Sequence, residues 1–442
     1  MANIGFISLG CAKNQVDCER MMYRVQEAGF TVQPDVVGCD AVVINTCGFI
    51  DSAKSEAIDH ILQMGQLKEQ GLVGKILVTG CLSQRYQQDI LRELPEVDGV
   101  LGTGSYTEIV PALENILSGE TVEDFGSIDA PEVETGRILT TPEHYAFIKI
   151  AEGCDNRCAY CIIPYLRGKF RSRQMDDVLY EARLLAASGI KELIVVAQDT
   201  SRYGTDFAEH TRLLPELLRQ LCQIDGLQWI RLHYVYPDEI DDELIRVMAE
   251  EPKIVKYLDI PIQHCNSKIL KLMNRRGDGA FLRELFAKLR RNIPGLVLRT
   301  SVITGLPGEG EEEFRELCEF LKEQKLERVG AFPFSPEEGT PAALMEFVDS
   351  DVAQSRAQMV ESIQSRIMDD YNESMLGKTL DVLIDGYDEE FTQFFGRTYA
   401  DSPEIDGRVW IASEESLVEG TFVKVCIDGI IDGDLSGYLV EE

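Results

Sequence analysis

Between Ile4 and Phe334, short apolar runs of strand length recur, each followed by a longer stretch with helical spacing, and this alternation constrains the fold more than any other feature. A strand that is apolar on both faces and feeds a helix pairs in parallel with its neighbours, because the helix must cross back over the sheet. The first set comprises Ile4 to Leu9, Ala41 to Asn45 and Lys75 to Thr79, with helices expected from Asn14 to Ala28, from Asp51 toward Lys68 and from Ser83 to Leu94. It predicts an N-terminal parallel α/β domain of Rossmann or flavodoxin-like type over residues 1–120. An acidic, irregular stretch containing Pro131, residues 121–141, reads as a linker. A second set consists of Ala146 to Ala151, Glu192 to Ala197, Trp229 to Val235, Tyr257 to Ile262, Val297 to Ile303 and Arg328 to Phe334. Six such repeats predict a partial (β/α)6 barrel over residues 142–372, with functional loops at the strand C-termini. After a helix from about Asp351 to Met375, short strands between Gly and Asp turns predict a small antiparallel β-barrel, OB-like in character, over residues 373–442.

Three domains suit a chain of 442 residues, each able to bury its own core. The opening MANIGFISLG has no basic region followed by an apolar stretch, and no apolar run approaches the ~20 residues that span a bilayer. A cytoplasmic protein without a membrane partner is expected. The formal net charge of −33, from 76 acidic and 43 basic residues, repels a bare phosphate backbone and favours a basic partner, although a solvated acidic surface explains it as simply. Twelve cysteines in a reducing compartment point to metal ligands, redox groups or buried apolar residues rather than disulfides.

Spacing separates these possibilities. Cys154, Cys158 and Cys161 stand in IAEGCDNRCAYCIIPYLRG, on a loop leaving a strand. Three thiolates so placed can ligate three irons of a [4Fe-4S] cube and leave the fourth open. S-adenosyl-L-methionine can chelate that iron through its amino and carboxylate groups, and an electron from the reduced cube then releases a 5′-deoxyadenosyl radical. Zinc is the rival, but it prefers four ligands, and the nearest histidine, His144, lies ten residues upstream of Cys154. Chance spacing in a cysteine-rich chain is the third reading.

Cys11, Cys47 and Cys81 each follow directly on a strand of the first set. In an open parallel sheet these loops gather on one edge, where three thiols could hold a second iron–sulfur cluster. Three ordinary buried cysteines explain them equally well. Cys18, Cys39, Cys222, Cys265, Cys318 and Cys426 fit neither set and read as structural. Gln198, His233, Gln263 and His264 are expected at the barrel mouth, with backbone hydrogen bonding as the simpler role. Arg275 and Arg276 either meet an anionic group or cap a helix.

With these motifs in view the chain resembles a known family. CxxxCxxC after the first barrel strand is similar to the radical-SAM signature, with Tyr160 matching the aromatic beside the adenine. SVITGLPGE, Ser301 to Glu309, resembles the fifth-strand motif on the adenosine side, which implies cofactor contact at Gly305 and Glu309. GCAKNQVD, NTCGFI and VTGCLSQRY look like the three cysteine blocks of the methylthiotransferase family. The resemblance implies an N-terminal cluster domain, a radical-SAM barrel and a C-terminal TRAM domain. It implies two [4Fe-4S] clusters on the six cysteines, and S-adenosyl-L-methionine as the source of both the radical and the methyl group of an inserted –SCH3.

SLGCAKNQVD, WIRLHYVYP, YLDIPIQH, FPFSPEEGTP and ADSPEIDG resemble the family branch that modifies the β-carbon of an aspartate of ribosomal protein S12. Cys18 and Phe334 depart from it, where a small polar residue and a tyrosine are expected. Residues 373–442 carry seventeen acidic and four basic residues, net −13, which suits a basic protein better than RNA. Removing them is expected to cost substrate binding and spare cofactor cleavage. An external electron donor is implied, and the substrate is met free or within the ribosome. Contact with RNA, a tRNA-adenosine substrate, and a non-catalytic iron–sulfur sensor remain the alternatives.

Overall fold

The computed structural model describes residues 2–440. Met1, Glu441 and Glu442, which the expected terminal domains include, lie outside the described residues. No helix among them is long and apolar enough to cross a membrane.

The N-terminal elements are β1 (Asn3–Ser8), α1 (Ala12–Glu27), β2 (Thr31–Gln33), β3 (Ala41–Thr46), α2 (Asp51–Glu69), β4 (Lys75–Gly80), α3 (Cys81–Tyr86), α4 (Gln88–Glu93), β5 (Gly99–Leu101), α5 (Ile109–Ser118) and β6 (Val122–Asp124). All six strands pair in parallel, in the order β2-β1-β3-β4-β5-β6. AVVINT of β3 is buried throughout because alternate residues enter different cores. Ala41 and Val43 pack with Met21 of α1 and Ile116 of α5, whereas Val42 and Ile44 pack with Ile61 of α2. Helices thus cover both faces, as a parallel sheet requires. The single helix expected from Ser83 to Leu94 is two, broken at Gln87, whose φ of 45° no right-handed helix accommodates. β2, β5 and β6 are three residues each, too short for a periodic signal, and β6 lies within the stretch read as linker.

The second unit runs β7 (Tyr145–Lys149), β8 (Ala151–Glu152), α6 (Ile163–Arg167), β9 (Arg171–Ser172), α7 (Met175–Ala187), β10 (Glu192–Val196), α8 (Leu214–Cys222), β11 (Trp229–Leu232), α9 (Asp242–Glu250), β12 (Ile254–Asp259), α10 (Ser267–Leu272), α11 (Gly279–Asn292), β13 (Val297–Thr304), α12 (Glu311–Gln324), β14 (Arg328–Pro333) and α13 (Ser350–Glu373). Its six long strands form one parallel sheet, β14-β13-β12-β11-β10-β7, the partial barrel expected. Ala146, Leu193, Ile230 and Leu298 face the covering helices in the largest core. The alternate residues Tyr145, Glu192, Arg231 and Tyr257 face the other way.

The last unit is β15 (Thr379–Asp388), β16 (Gln393–Arg397), β17 (Val409–Ala412), β18 (Phe422–Ile431) and β19 (Asp434–Leu439), closed as β15-β16-β17-β19-β18. The barrel is not wholly antiparallel, since β17 and β19 pair in parallel. Nor is it a detachable module. The segment 398–406 between β16 and β17 reaches into the larger barrel: Asp406 accepts from Tyr257 Oη at 2.7 Å, Asp401 pairs with Arg328 at 2.8 Å, and Arg231 donates to the Tyr399 carbonyl at 2.9 Å. Glu192, fully buried, sits between Arg231 (2.7 Å) and Arg397 (2.6 Å). Removing residues 373–442 would strand these charges inside the barrel, so the deletion should cost the barrel's stability, and with it cofactor cleavage, as well as substrate binding.

Candidate active site

β1, β3 and β4 lie side by side at the centre of the N-terminal sheet, so the loops at their C-terminal ends are neighbours. Cys11 caps α1, Cys47 follows β3, and Cys81 opens α3. The backbone around them is built for close approach. A Cβ on Gly10, whose φ is 94°, would lie 2.8 Å from Cys47 Cβ, and one on Gly48 would lie 2.7 Å from the Leu82 nitrogen. Burial, with the adjoining Cys81 and Cys11 thiols adding to it, pushes the Cys47 thiol up to about 12. Burial raises Cys81 as well, with Arg167 opposing. Cys47 and Cys81, whose thiolates burial and a neighbouring thiol disfavour, stand with the exposed Cys11 as a donor set that a multivalent cation would satisfy, and an iron–sulfur cluster fits it.

Cys154, Cys158 and Cys161 occupy the loop between β8 and α6, pinned at its base by the β8·β9 ribbon and by Cys154 N–H donating to the Gly168 carbonyl at 3.1 Å. Cys154 and Cys158 are buried and Cys161 is half-buried. Burial, followed by the other two thiols, raises Cys161, and burial takes Cys154 up to about 11. Polar groups face the sulfurs: Asn156 Nδ2 lies 3.5 Å from Cys154 Sγ, while Tyr236 Oη and Arg275 Nη1 lie 3.3 and 3.8 Å from Cys158 Sγ. Arg275 also stacks on the Tyr236 ring at 4.4 Å and donates to the Pro261 carbonyl at 2.5 Å. It is therefore placed against the thiol loop and does not cap a helix. No disulfide links any of the twelve cysteines. Cys18, Cys39, Cys222, Cys265 and Cys318 lie in apolar cores, while Cys426 is half-buried in β18.

Tyr160 packs against Ala159, Leu306 and Phe334, which joins the thiol loop to SVITGLPGE. Phe334, the departure from tyrosine, is thus a wall of that same core. Gly305 and Glu309 stand differently. Glu309 is buried, accepts from Gly305 N–H at 2.8 Å, pairs with Arg356 at 2.8 Å, and lies 3.2 Å from His264 Nε2. A Cβ on Gly305 would lie 2.5 Å from the Cβ of Ala353 on α13. Both residues hold the turn after β13 against α13. His233 does not open to the mouth; its Nε2 lies 3.1 Å from Ser402 Oγ in the inserted segment 398–406. Gln198 hydrogen-bonds Glu152, and Gln263 continues the strand pairing through backbone bonds to Ser301 and Ile303.

The two triads are joined by buried charge that the sequence reading missed. Arg167, which ends α6, donates from Nε to Cys81 Sγ at 3.3 Å, from Nη1 to Asp17 at 2.5 Å and Glu152 at 3.1 Å, and from Nη2 to Asn14 at 2.9 Å. Ile162 and Leu166 pack on the same cysteine. Lys149 Nζ lies 2.5 Å from Asp17, 2.5 Å from Glu132 and 2.8 Å from Glu152. These carboxylates are close enough to hold a metal ion, but the ammonium already stands among them. Arg137, from the expected linker, pairs with Glu19 of α1 at 2.6 Å and Glu181 of α7 at 2.5 Å. Lys149 and Glu152 inside an otherwise apolar strand were the one available signal, since unpaired charges are not buried there.

Residues 148–321 match the Radical SAM superfamily, 3–102 the Uncharacterized protein family UPF0004 and 376–440 the TRAM domain. The chain is 46% identical over 439 residues to the ribosomal protein uS12 methylthiotransferase RimO of Thermoanaerobacter sp. (strain X514), covering 99% of this chain and 100% of that one. With the protein of the same description from Lachnoclostridium phytofermentans it shares 48% over 436 residues, 98% and 99% of the two chains. Among solved structures, the radical S-adenosylmethionine methyltransferase TsrM of Kitasatospora setae superposes with a TM-score of 0.57 at 14% identity, over 78% of this chain and 75% of that one. That likeness is one of fold.

Proposed function

The chain belongs to the uS12 methylthiotransferase RimO family, and from that premise we propose that Cys154, Cys158 and Cys161 hold the cluster that binds S-adenosyl-L-methionine while Cys11, Cys47 and Cys81 hold a second. The enzyme is a radical-SAM methylthiotransferase and uses iron–sulfur clusters and S-adenosyl-L-methionine. The proposed reaction replaces a hydrogen on the β-carbon of an aspartate of ribosomal protein uS12 with –SCH3. Two thiol triads on separate sheets, joined by Arg167, carry this reading, because abstraction of hydrogen and delivery of sulfur must converge on one carbon.

A reduced cluster with bound S-adenosyl-L-methionine supplies the hydrogen-abstracting radical. The chain's own residues do the rest. Tyr236 and Arg275 present donors to Cys158, and Asn156 presents one to Cys154. Such donors stabilise negative charge on the sulfurs, and the apolar wall of Ala159, Leu306 and Phe334 keeps water from the loop. Tyr160 is the adenine-side contact we favour; Gly305 and Glu309 support the site by shaping the turn. Cys11, the exposed member of its triad, leaves that side open to the incoming side chain.

For substrate recognition, the small barrel offers exposed Tyr387 and Phe391 beside Asp388, Glu389 and Glu390, an aromatic and acidic surface suited to a basic ribosomal protein. Such a substrate places the enzyme in the cytoplasm, with an external one-electron donor. Mass spectrometry after anaerobic reaction tests the reading: uS12, free or in ribosomal subunits, should gain ~46 Da, as –SCH3 replacing hydrogen requires. The same gain on tRNA adenosine with uS12 unmodified refutes the substrate assignment.

A further inference from the structure

Arg167 spends its hydrogen bonds unusually for a buried arginine. Three acceptors are oxygens, of Asp17, Glu152 and Asn14, but the Nε–H is turned to Cys81 Sγ at 3.3 Å. Arg167 is 3% exposed, so water does not compete for that bond. It also belongs to the opposite triad: six residues after Cys161, it ends the short helix on which the barrel's thiol loop closes. No other guanidinium or ammonium among the described residues hydrogen-bonds a sulfur of the N-terminal triad.

We propose that Arg167 is a positioning residue that sets the reduction potential of the centre held by Cys11, Cys47 and Cys81. This rests on the ligand assignment above. An N–H donated to a ligating sulfur stabilises the extra negative charge of the reduced centre and so raises its potential. The arginine's positive charge is answered locally by Asp17 and Glu152, so the directional N–H···S bond, rather than net charge, carries the effect. The same residue makes the barrel loop a part of the second centre's environment, which ties the electronic state of that centre to the seating of the loop.

The test isolates the N-terminal centre in a full-length chain in which Cys154, Cys158 and Cys161 are alanine, with potentials read by EPR-monitored potentiometry. Arg167→Gln removes both charge and bond. Arg167→Lys keeps the charge and cannot reach oxygen and sulfur together. Both should move the potential to more negative values while iron stays at ~4 per chain. Arg137→Gln is the control, because Arg137 is equally buried in the same ionic network and contacts no thiol. It should lower thermal stability and leave the potential in place. An unmoved potential in both Arg167 variants at full iron overturns the proposal. So does a wild-type potential in Arg167→Lys alone, which would assign the effect to charge, and so does an equal shift in Arg137→Gln. Absence of iron from the parent variant would instead overturn the ligand assignment, and the proposal with it.

Discussion

Replacing Glu192 with glutamine should loosen the whole catalytic barrel, although Glu192 touches no thiol. Its carboxylate is fully buried between Arg231 Nε at 2.7 Å and Arg397 Nη1 at 2.6 Å. Arg397 keeps Asp385, at 2.8 Å, but Arg231 has no second carboxylate, and its Nη2 already lacks a partner. In the variant an amide N–H2 faces a guanidinium, and a buried positive charge is left uncompensated. Removing one partner of a buried pair costs about 3–5 kcal/mol, and the surviving Arg397–Asp385 bond puts this case near about 3 kcal/mol. At roughly 2–4 °C per kcal/mol for a unit of this size, the melting temperature should fall by ~6–12 °C in differential scanning calorimetry. The flanking arginines hold Glu192 below its ordinary range against the opposing effect of burial. A carboxylate with a depressed folded value contributes stability above its unfolded value, near ~4.3, and loses it as pH falls through the folded one. The gap between wild type and E192Q should therefore be full at neutral pH and shrink below about pH 4. A drop under ~2 °C at neutral pH, or a gap that widens on acidification, would refute the claim that the inserted segment and its charges hold the barrel.

The remaining predictions concern the thiols. Reconstituted wild type should carry ~8 irons per chain and no zinc; C158A should abolish reductive cleavage of S-adenosyl-L-methionine, whereas C47A should retain cleavage and lose thiolation. Full methylthiolation by C47A, read by mass spectrometry of uS12, would reduce the N-terminal triad to a structural role. Gly48→Ala drives a Cβ to 2.7 Å from the Leu82 nitrogen and 2.8 Å from the Cys81 carbonyl, so it should cut bound iron by about half while cleavage persists. Unchanged iron in that variant would show that the Cys81 loop can yield.

Much of the site was legible because its chemistry is written locally. Cys154, Cys158 and Cys161 are held at their spacing by covalent sequence alone, and any fold that makes a loop there gathers them. Cys11, Cys47 and Cys81 are dozens of residues apart, yet each follows a strand apolar on both faces, and parallel pairing does the gathering. Gly305 and Glu309 show what a motif leaves open. Oε1 of Glu309 accepts from Gly305 N–H and Arg356, while Oε2, 3.2 Å from His264 Nε2, is buried without a hydrogen-bond partner, and only tertiary packing decides that division.

What the sequence determined by itself was the alternation of elements, and hence two parallel sheets, a small terminal barrel and the thiols at their strand ends. Periodicity reports which face of an element is apolar, and that is a property of neighbouring residues. Tertiary structure alone decided that Arg137 in the expected linker locks α1 to α7, that Arg167 reaches across to Cys81, and that residues 398–406 fill the barrel. Each of those pairings joins residues tens to hundreds of positions apart. A charge buried at one end acquires its partner only when register and docking bring the other within hydrogen-bond reach, where desolvation makes the match obligatory.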